Sequence, residues 1–204
     1  MTNARLAFMV LLAALPSAAS CGGSAPAPGA AASIRGTDFS NFRYHFQRTT
    51  IALRDSAQEP VRRNGIIHES GYLLDGVVYG DVTGDGVEDA VVVVEEVTGG
   101  SAVPNRVFVY QAGADGPRRL WSFETGDRAA GGFKDVYVRD GVLVVELYGR
   151  DKVPSDPASL HRDDGTGSPA CCPTMFTRSR YQWNGRAFVP RGAPEVLPYD
   201  PQAG

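Results

Sequence analysis

From about Ser33 onward, apolar residues recur in short β-branched and aromatic runs bounded by Gly, Asp and Asn, and no stretch of a dozen residues carries a convincing helical repeat. The runs Phe42–Phe46, Gly76–Gly80, Ala90–Val94, Val107–Gln111, Leu120–Glu124, Val136–Arg139, Val142–Val145, Arg180–Trp183 and Arg186–Val189 predict about nine strands. Between two of these runs lies Asp140-Gly141, a pair that supplies the positive φ angles of a two-residue hairpin turn, and Asn184-Gly185 repeats the device. Val91–Val94 is unbroken, as expected of a central strand covered on both faces. The pattern therefore predicts a mainly β chain: one antiparallel domain, a sandwich or a strongly curled sheet, over residues 37–197, with a tail at 198–204. A short helix over Thr50–Gln58 is the one exception expected.

The N-terminal segment reads differently. Arg5 precedes the apolar run Leu6–Leu15, followed by Pro16 and the small residues up to Ser20, the order of a secretory signal over residues 1–20. The apolar run is about 14 residues up to Ala19 against the roughly 20 a membrane-spanning helix needs, so removal on export is the expectation. Ala18-Ala19-Ser20-Cys21 resembles a bacterial lipobox, with Ala18 where that family of signals usually has Leu. The resemblance implies that Cys21 is acylated and becomes the anchor. The alternative is a plain secreted or periplasmic protein whose signal is cleaved nearby. Residues 21–36 are rich in Gly, Ala and Pro, with too little side-chain variety to pack, and read as a flexible linker.

Composition narrows the partners. The chain of 204 residues is 43% hydrophobic and 21% charged, which excludes wholesale disorder. Its 20 basic and 23 acidic residues give a net charge of −3, so no basic surface favours nucleic acid as a partner.

The strongest chemical signal is Gly80-Asp81-Val82-Thr83-Gly84-Asp85-Gly86-Val87-Glu88-Asp89. Counted from Asp81, oxygen-bearing side chains stand at positions 1, 3, 5 and 9 (Asp81, Thr83, Asp85, Asp89), with Gly86 at position 6 and the carbonyl of Val87 at position 7. Calcium takes about six to eight oxygens at roughly 2.3–2.6 Å, and a glycine at the sharp turn lets the chain wrap the ion. Position 12 is Val92, where an EF-hand carries a bidentate Glu, and a strand pattern follows. The competing reading is a metal-free turn, since Asp and Gly favour turns for backbone reasons. Three close aspartates repel without a counter-ion, which favours a structural calcium. Over Tyr79–Val94 the segment resembles the FG-GAP and VCBS type of calcium loop. One copy cannot build the several blades of a propeller.

Of the three cysteines, Cys171 and Cys172 are adjacent and, with Cys21 acylated, have only each other. In an oxidising compartment this points to a vicinal disulfide, with buried reduced thiols as the alternative. They close a long irregular stretch, Gly149–Pro173, of the length at which loops are often functional or disordered. The stretch also holds His161, Asp163 and Asp164, whose spacing fits no zinc signature. No nucleophile elbow, zincin motif, phosphate loop or dinucleotide fingerprint is present.

The order of calcium-type loop, Gly99-Gly100-Ser101-Ala102, Thr125-Gly126-Asp127-Arg128 and Cys171-Cys172-Pro173 resembles a group of small uncharacterised bacterial envelope lipoproteins over Asp38–Val189. The resemblance implies envelope location. The functional expectation is a non-enzymatic, calcium-stabilised domain, tethered to the membrane by lipid, that binds an envelope protein or glycan. Two alternatives stay open: a small-molecule binder or redox responder using Cys171 and Cys172, and a hydrolase using separated carboxylates such as Asp127 and Glu146.

Overall fold

The computed structural model describes residues 33–100, 103–127, 131–162 and 172–200. The expected signal, Cys21 and Cys171 lie outside them. Two 3-10 turns, Ile34–Gly36 and Phe39–Asn41, lead into fourteen strands. These are β1 (Arg43–Phe46), β2 (Thr49–Ala52), β3 (Ala57–Gln58), β4 (Val61–Arg63), β5 (Ile66–Glu69), β6 (Gly71–Gly80) and β7 (Asp89–Val97). There follow β8 (Asn105–Gln111), β9 (Arg118–Glu124), β10 (Phe133–Arg139), β11 (Val142–Tyr148), β12 (Met175–Trp183), β13 (Phe188–Pro190) and β14 (Glu195–Pro198). A single-turn helix α1 (Pro157–Leu160) interrupts the series.

All named strand pairs are antiparallel. The first sheet runs β3-β6-β7-β8-β9, and the second runs β10-β11-β12 with β13 and β14 both on the far side of β12. Alternation along the strands decides the layers. Val91, Val93, Val107, Val109 and Phe123 of the first sheet share a core with Val136, Leu143, Val145, Leu147 and Tyr181 of the second, so the two sheets form a sandwich. From the other face of the first sheet, Ala90, Val92, Val94, Phe108 and Tyr110 pack against Ile34, Phe39, Tyr44, Phe46, Ile51 and Leu53. The β1–β2 hairpin and the 3-10 turns thus make a third layer. Val91–Val94 is unbroken because β7 is covered on both faces, as expected.

Ile34, inside the segment expected as linker, is 2% exposed and belongs to the core of the third layer. Asp140-Gly141 closes the β10–β11 hairpin with φ of 53° and 71° and Arg139 opposite Val142. Gly80 is required by a close approach, because a Cβ there would lie 2.8 Å from the Val138 side chain of the facing sheet.

Three expectations need correction, one being the two-residue turn at Asn184-Gly185, where residues 184–187 form the loop and Trp183 pairs with Phe188 because the Asn184 side chain binds the Arg186 and Ala187 amides. Thr50–Gln58 is not helical but contains β2, a turn and β3. Ile51 and Leu53 enter the core at a spacing of two, and Asp55 and Ser56 turn the chain with φ of 50° and 71°. Among the described residues, fourteen strands replace nine. The additional ones are β2, β3, β4, β5 and β14, each of four residues or fewer. β4 and β5 have mostly exposed residues on both faces, so no apolar alternation marked them, although Asn64-Gly65 is their turn.

Candidate functional site

The acidic segment is the connection between β6 and β7, with Gly80 paired to Asp89 at its base. Val82 is buried in the inter-sheet core and pins the loop from within. Gly84 and Gly86 have φ of 76° and 84°, the left-handed conformation that lets backbone amides turn inward. The carboxylate of Asp81 accepts from the amides of Gly84 (2.6 Å), Asp85 (3.2 Å) and Gly86 (2.9 Å). Asp85 accepts from the amide of Val87 (2.8 Å) and from Gln111 Nε2 (2.7 Å). Thr83 Oγ1 stands 3.5 Å from Asp81 Oδ1.

Asp89 is the unusual member. It is fully buried at the start of β7, and its Oδ2 accepts from the amides of Val82 and Thr83, both at 3.0 Å. Its Oδ1 has no hydrogen-bond partner among the described residues. Burial pushes the Asp89 carboxyl above the ordinary aspartate range despite the nearby Thr83 hydroxyl and the amide donors. A buried carboxylate oxygen left unsatisfied costs about 1–3 kcal/mol or more, and a cation beside it removes that cost. Glu88, next to Asp89 in the loop, accepts from Arg35, whose Nε and Nη2 donate to it at 2.5 and 2.8 Å, tying the first 3-10 turn to the loop. Among the described residues, no three His, Cys, Asp or Glu side chains converge as a ready metal cluster. The oxygens this loop carries, on Asp81, Thr83, Asp85, Asp89 and the Val87 carbonyl, are therefore not gathered at one point by their carboxylates, and those of Asp81 and Asp85 accept from loop amides and Gln111. All are hard oxygens, which fits calcium and not a soft metal.

A second feature lies at one end of the sandwich. A cleft of about 420 Å³ opens between the end of β9 and the segment around α1, lined in part by Gln47, Trp121, Glu124, Ser155, Leu160 and His161. Trp121 is braced by Phe123 (ring centroids 4.7 Å apart), Tyr181 (4.8 Å) and Phe188 (5.5 Å). The opposite wall is fixed by buried polar bonds. Lys152 is 1% exposed, and its Nζ donates to the carbonyls of Ser159 (3.0 Å) and Arg162. Thr177 Oγ1 accepts from the Lys152 amide (3.2 Å) and donates to the Gly149 carbonyl (2.7 Å), while Tyr181 Oη donates to Ser155 Oγ (3.1 Å). The first part of the long irregular stretch is thus a built wall. Lys152 and Trp121 were not singled out by the sequence, where a lysine in a polar loop and an aromatic in a strand carry no special signal.

The other candidates are scattered. Glu146 is 2% exposed on the outer face of the second sheet and accepts from Lys134 Nζ (2.5 Å) and Arg178 Nε (2.6 Å). Burial alone pushes its carboxyl up, but those two cations outweigh it and hold it below its usual 4.5. A general acid needs the opposite shift. Asp127 is exposed and accepts from the Val103 amide. Cys172 is exposed, Cys171 lies outside the described residues, and no disulfide is present among the described residues. His161 lines the cleft, while Asp163 and Asp164 also lie outside.

The Glu146 cluster makes a test of pH. Since its folded pKa is depressed, its contribution to stability is full above about 4.5 and is lost as the pH falls through the lower folded value. Urea unfolding from about pH 6 down to about pH 3 is expected to show this acid limb, and Glu146→Gln to flatten it. An acid limb unchanged by the substitution refutes the assignment.

Compared with protein-family models, curated proteins and solved structures, the chain matches none.

Proposed function

We propose that the chain is a bacterial cell-envelope lipoprotein whose calcium-stabilised β domain binds an envelope protein or glycan without catalysing a reaction. The observation that carries the calcium reading is the Asp89 carboxylate, buried and half satisfied at the ninth position of an oxygen-rich loop. The ion neutralises a charge that the fold otherwise leaves desolvated, and it joins the ends of β6 and β7. The end cleft is the surface offered to the partner. Its braced indole, with an amide, a carboxylate, a hydroxyl and an imidazole around it, suits a chain of polar groups with apolar faces, as in a sugar or an extended peptide.

Native mass spectrometry of the exported protein is expected to show one calcium ion per chain that chelator removes. A mass without the ion in saturating calcium overturns the reading. The address is tested separately. Cys21→Ser is expected to move the protein from the membrane fraction to the soluble one, and a soluble wild-type protein with a different N-terminus refutes the anchor.

A further inference from the structure

The second sheet has an outer face that belongs to neither core. Along β11, Leu143, Val145 and Leu147 point into the sandwich, so the alternating residues Val142, Val144 and Glu146 point the other way. Val142 and Val144 are nonetheless only 5% and 3% exposed. They form the floor of a groove of about 300 Å³ whose remaining lining is Arg139, Asp140, Arg180 and Arg191. Long arginine stems lie along apolar surface while their heads stay wet, which explains how valines outside both cores are shielded.

The charges on the rim do not cancel. Arg180 is held in a two-bond fork by Glu195, with Nη1 and Nη2 donating at 2.8 and 3.2 Å. Arg191 is placed beside it because its amide donates to the Arg180 carbonyl at 2.8 Å. Arg139 reaches the groove from the end of β10, its guanidinium 5.6 Å from the Tyr137 ring. Asp140, in the hairpin turn, is the only carboxylate in the lining. In the lining together with the carboxylate bound to Arg180, three guanidinium groups therefore face two carboxylates, Asp140 and Glu195, and one positive charge is left over beside a valine floor; Arg178, which also acts on Glu195, is itself bound by Glu146.

We infer that this groove binds a monocarboxylate carried on an apolar stem. The surplus of one positive charge matches one carboxylate, whereas a phosphate monoester brings close to two negative charges. A planar guanidinium fork also fits a carboxylate with two parallel hydrogen bonds, the geometry Arg180 already adopts with Glu195. The stem lies along the arginine methylenes that line the groove above Val142 and Val144. The proposal uses neither the calcium ion nor the anchor, although the hairpin that carries Asp140 and Val142 packs on the acidic loop, where a Cβ at Gly141 would lie 3.7 Å from the Asp81 carbonyl oxygen.

The test is a methyl-detected NMR titration of the full-length protein with hexanoate, hexanol and hexyl phosphate, reading the methyl signals of Val142 and Val144. Hexanoate is expected to shift both and to bind at least tenfold more tightly than hexanol. Arg139→Gln combined with Arg191→Gln is expected to weaken hexanoate at least tenfold and to leave hexanol unchanged. Both arginines are on the rim, and an unchanged melting temperature of the double variant shows that the fold is retained. Hexanol binding as tightly as hexanoate, a double variant that binds hexanoate normally, shifts that miss Val142 and Val144, or tighter binding of hexyl phosphate each overturn the proposal.

Discussion

Phe108→Ala is expected to cost the fold about 3–5 kcal/mol, the range for deleting a buried aromatic ring. Phe108 is wholly buried in β8 on the face of the first sheet that meets the β1–β2 hairpin. Its ring lies 5.0 Å from Tyr44 and 6.3 Å from Phe46, both of the hairpin, and 6.2 Å from Tyr110 beside it. Truncation removes the ring's own burial and opens a cavity that three aromatic neighbours, themselves fixed by Tyr44 Oη donating to the Phe39 carbonyl at 2.6 Å, are poorly placed to fill. Urea unfolding with an unchanged m-value measures the loss. A loss below about 1 kcal/mol means that the hairpin layer does not pack on Phe108, because a ring facing solvent costs little to remove.

Calcium at a hundredfold excess over its dissociation constant is expected to add about 2.7 kcal/mol to stability by mass action. The increment is lost in chelator. Two substitutions separate the ion from the turn. Asp85→Ala removes a ligand and most of the calcium increment, but it also frees the Val87 amide and Gln111, so its metal-free stability falls. Asp89→Asn keeps an oxygen for the Val82 and Thr83 amides while removing the buried charge. Its metal-free stability is expected not to fall, and its calcium increment to vanish. Identical melting curves of the wild-type protein in calcium and in chelator establish a turn without an ion.

The sequence carried the central strands because their burial is written in consecutive residues. Val91–Val94 and Val107–Tyr110 are apolar on both faces, and Asp140-Gly141 names its turn. It did not carry β2, because Ile51 and Leu53 are only two apolar positions among polar neighbours, and the partner that buries them lies far along the chain in β7 and β8. Asn184-Gly185 was legible as a turn but not in its register. The Asn184 side chain accepts from the amides of Arg186 and Ala187, both at 2.9 Å, so the loop takes four residues and Trp183 pairs with Phe188. The spacing of oxygens in the acidic loop was legible as well. The special position of Asp89 was not, because its burial comes from the strand pairing of Gly80 and the packing of Val82. The arginine groove was invisible, since Arg139, Arg180 and Arg191 meet only when β10, β12 and the segment after β13 share one sheet.

The hairpin layer is joined to the sandwich differently from the way the sandwich is joined to itself. β1 and β2 pair only with each other, and side chains hold them to the first sheet until β3 pairs with β6 at Leu73 and Tyr72. A load applied at Ile34 would therefore act on the Arg35–Glu88 contact, and then on a layer that can be peeled side chain by side chain without breaking a ladder of the central sheet. Under such a load the layer would behave as a mechanical fuse. That load would be spent in unwrapping some twenty residues (Ile34–Leu53), while the cleft would lose only Phe46 and Gln47 from its wall.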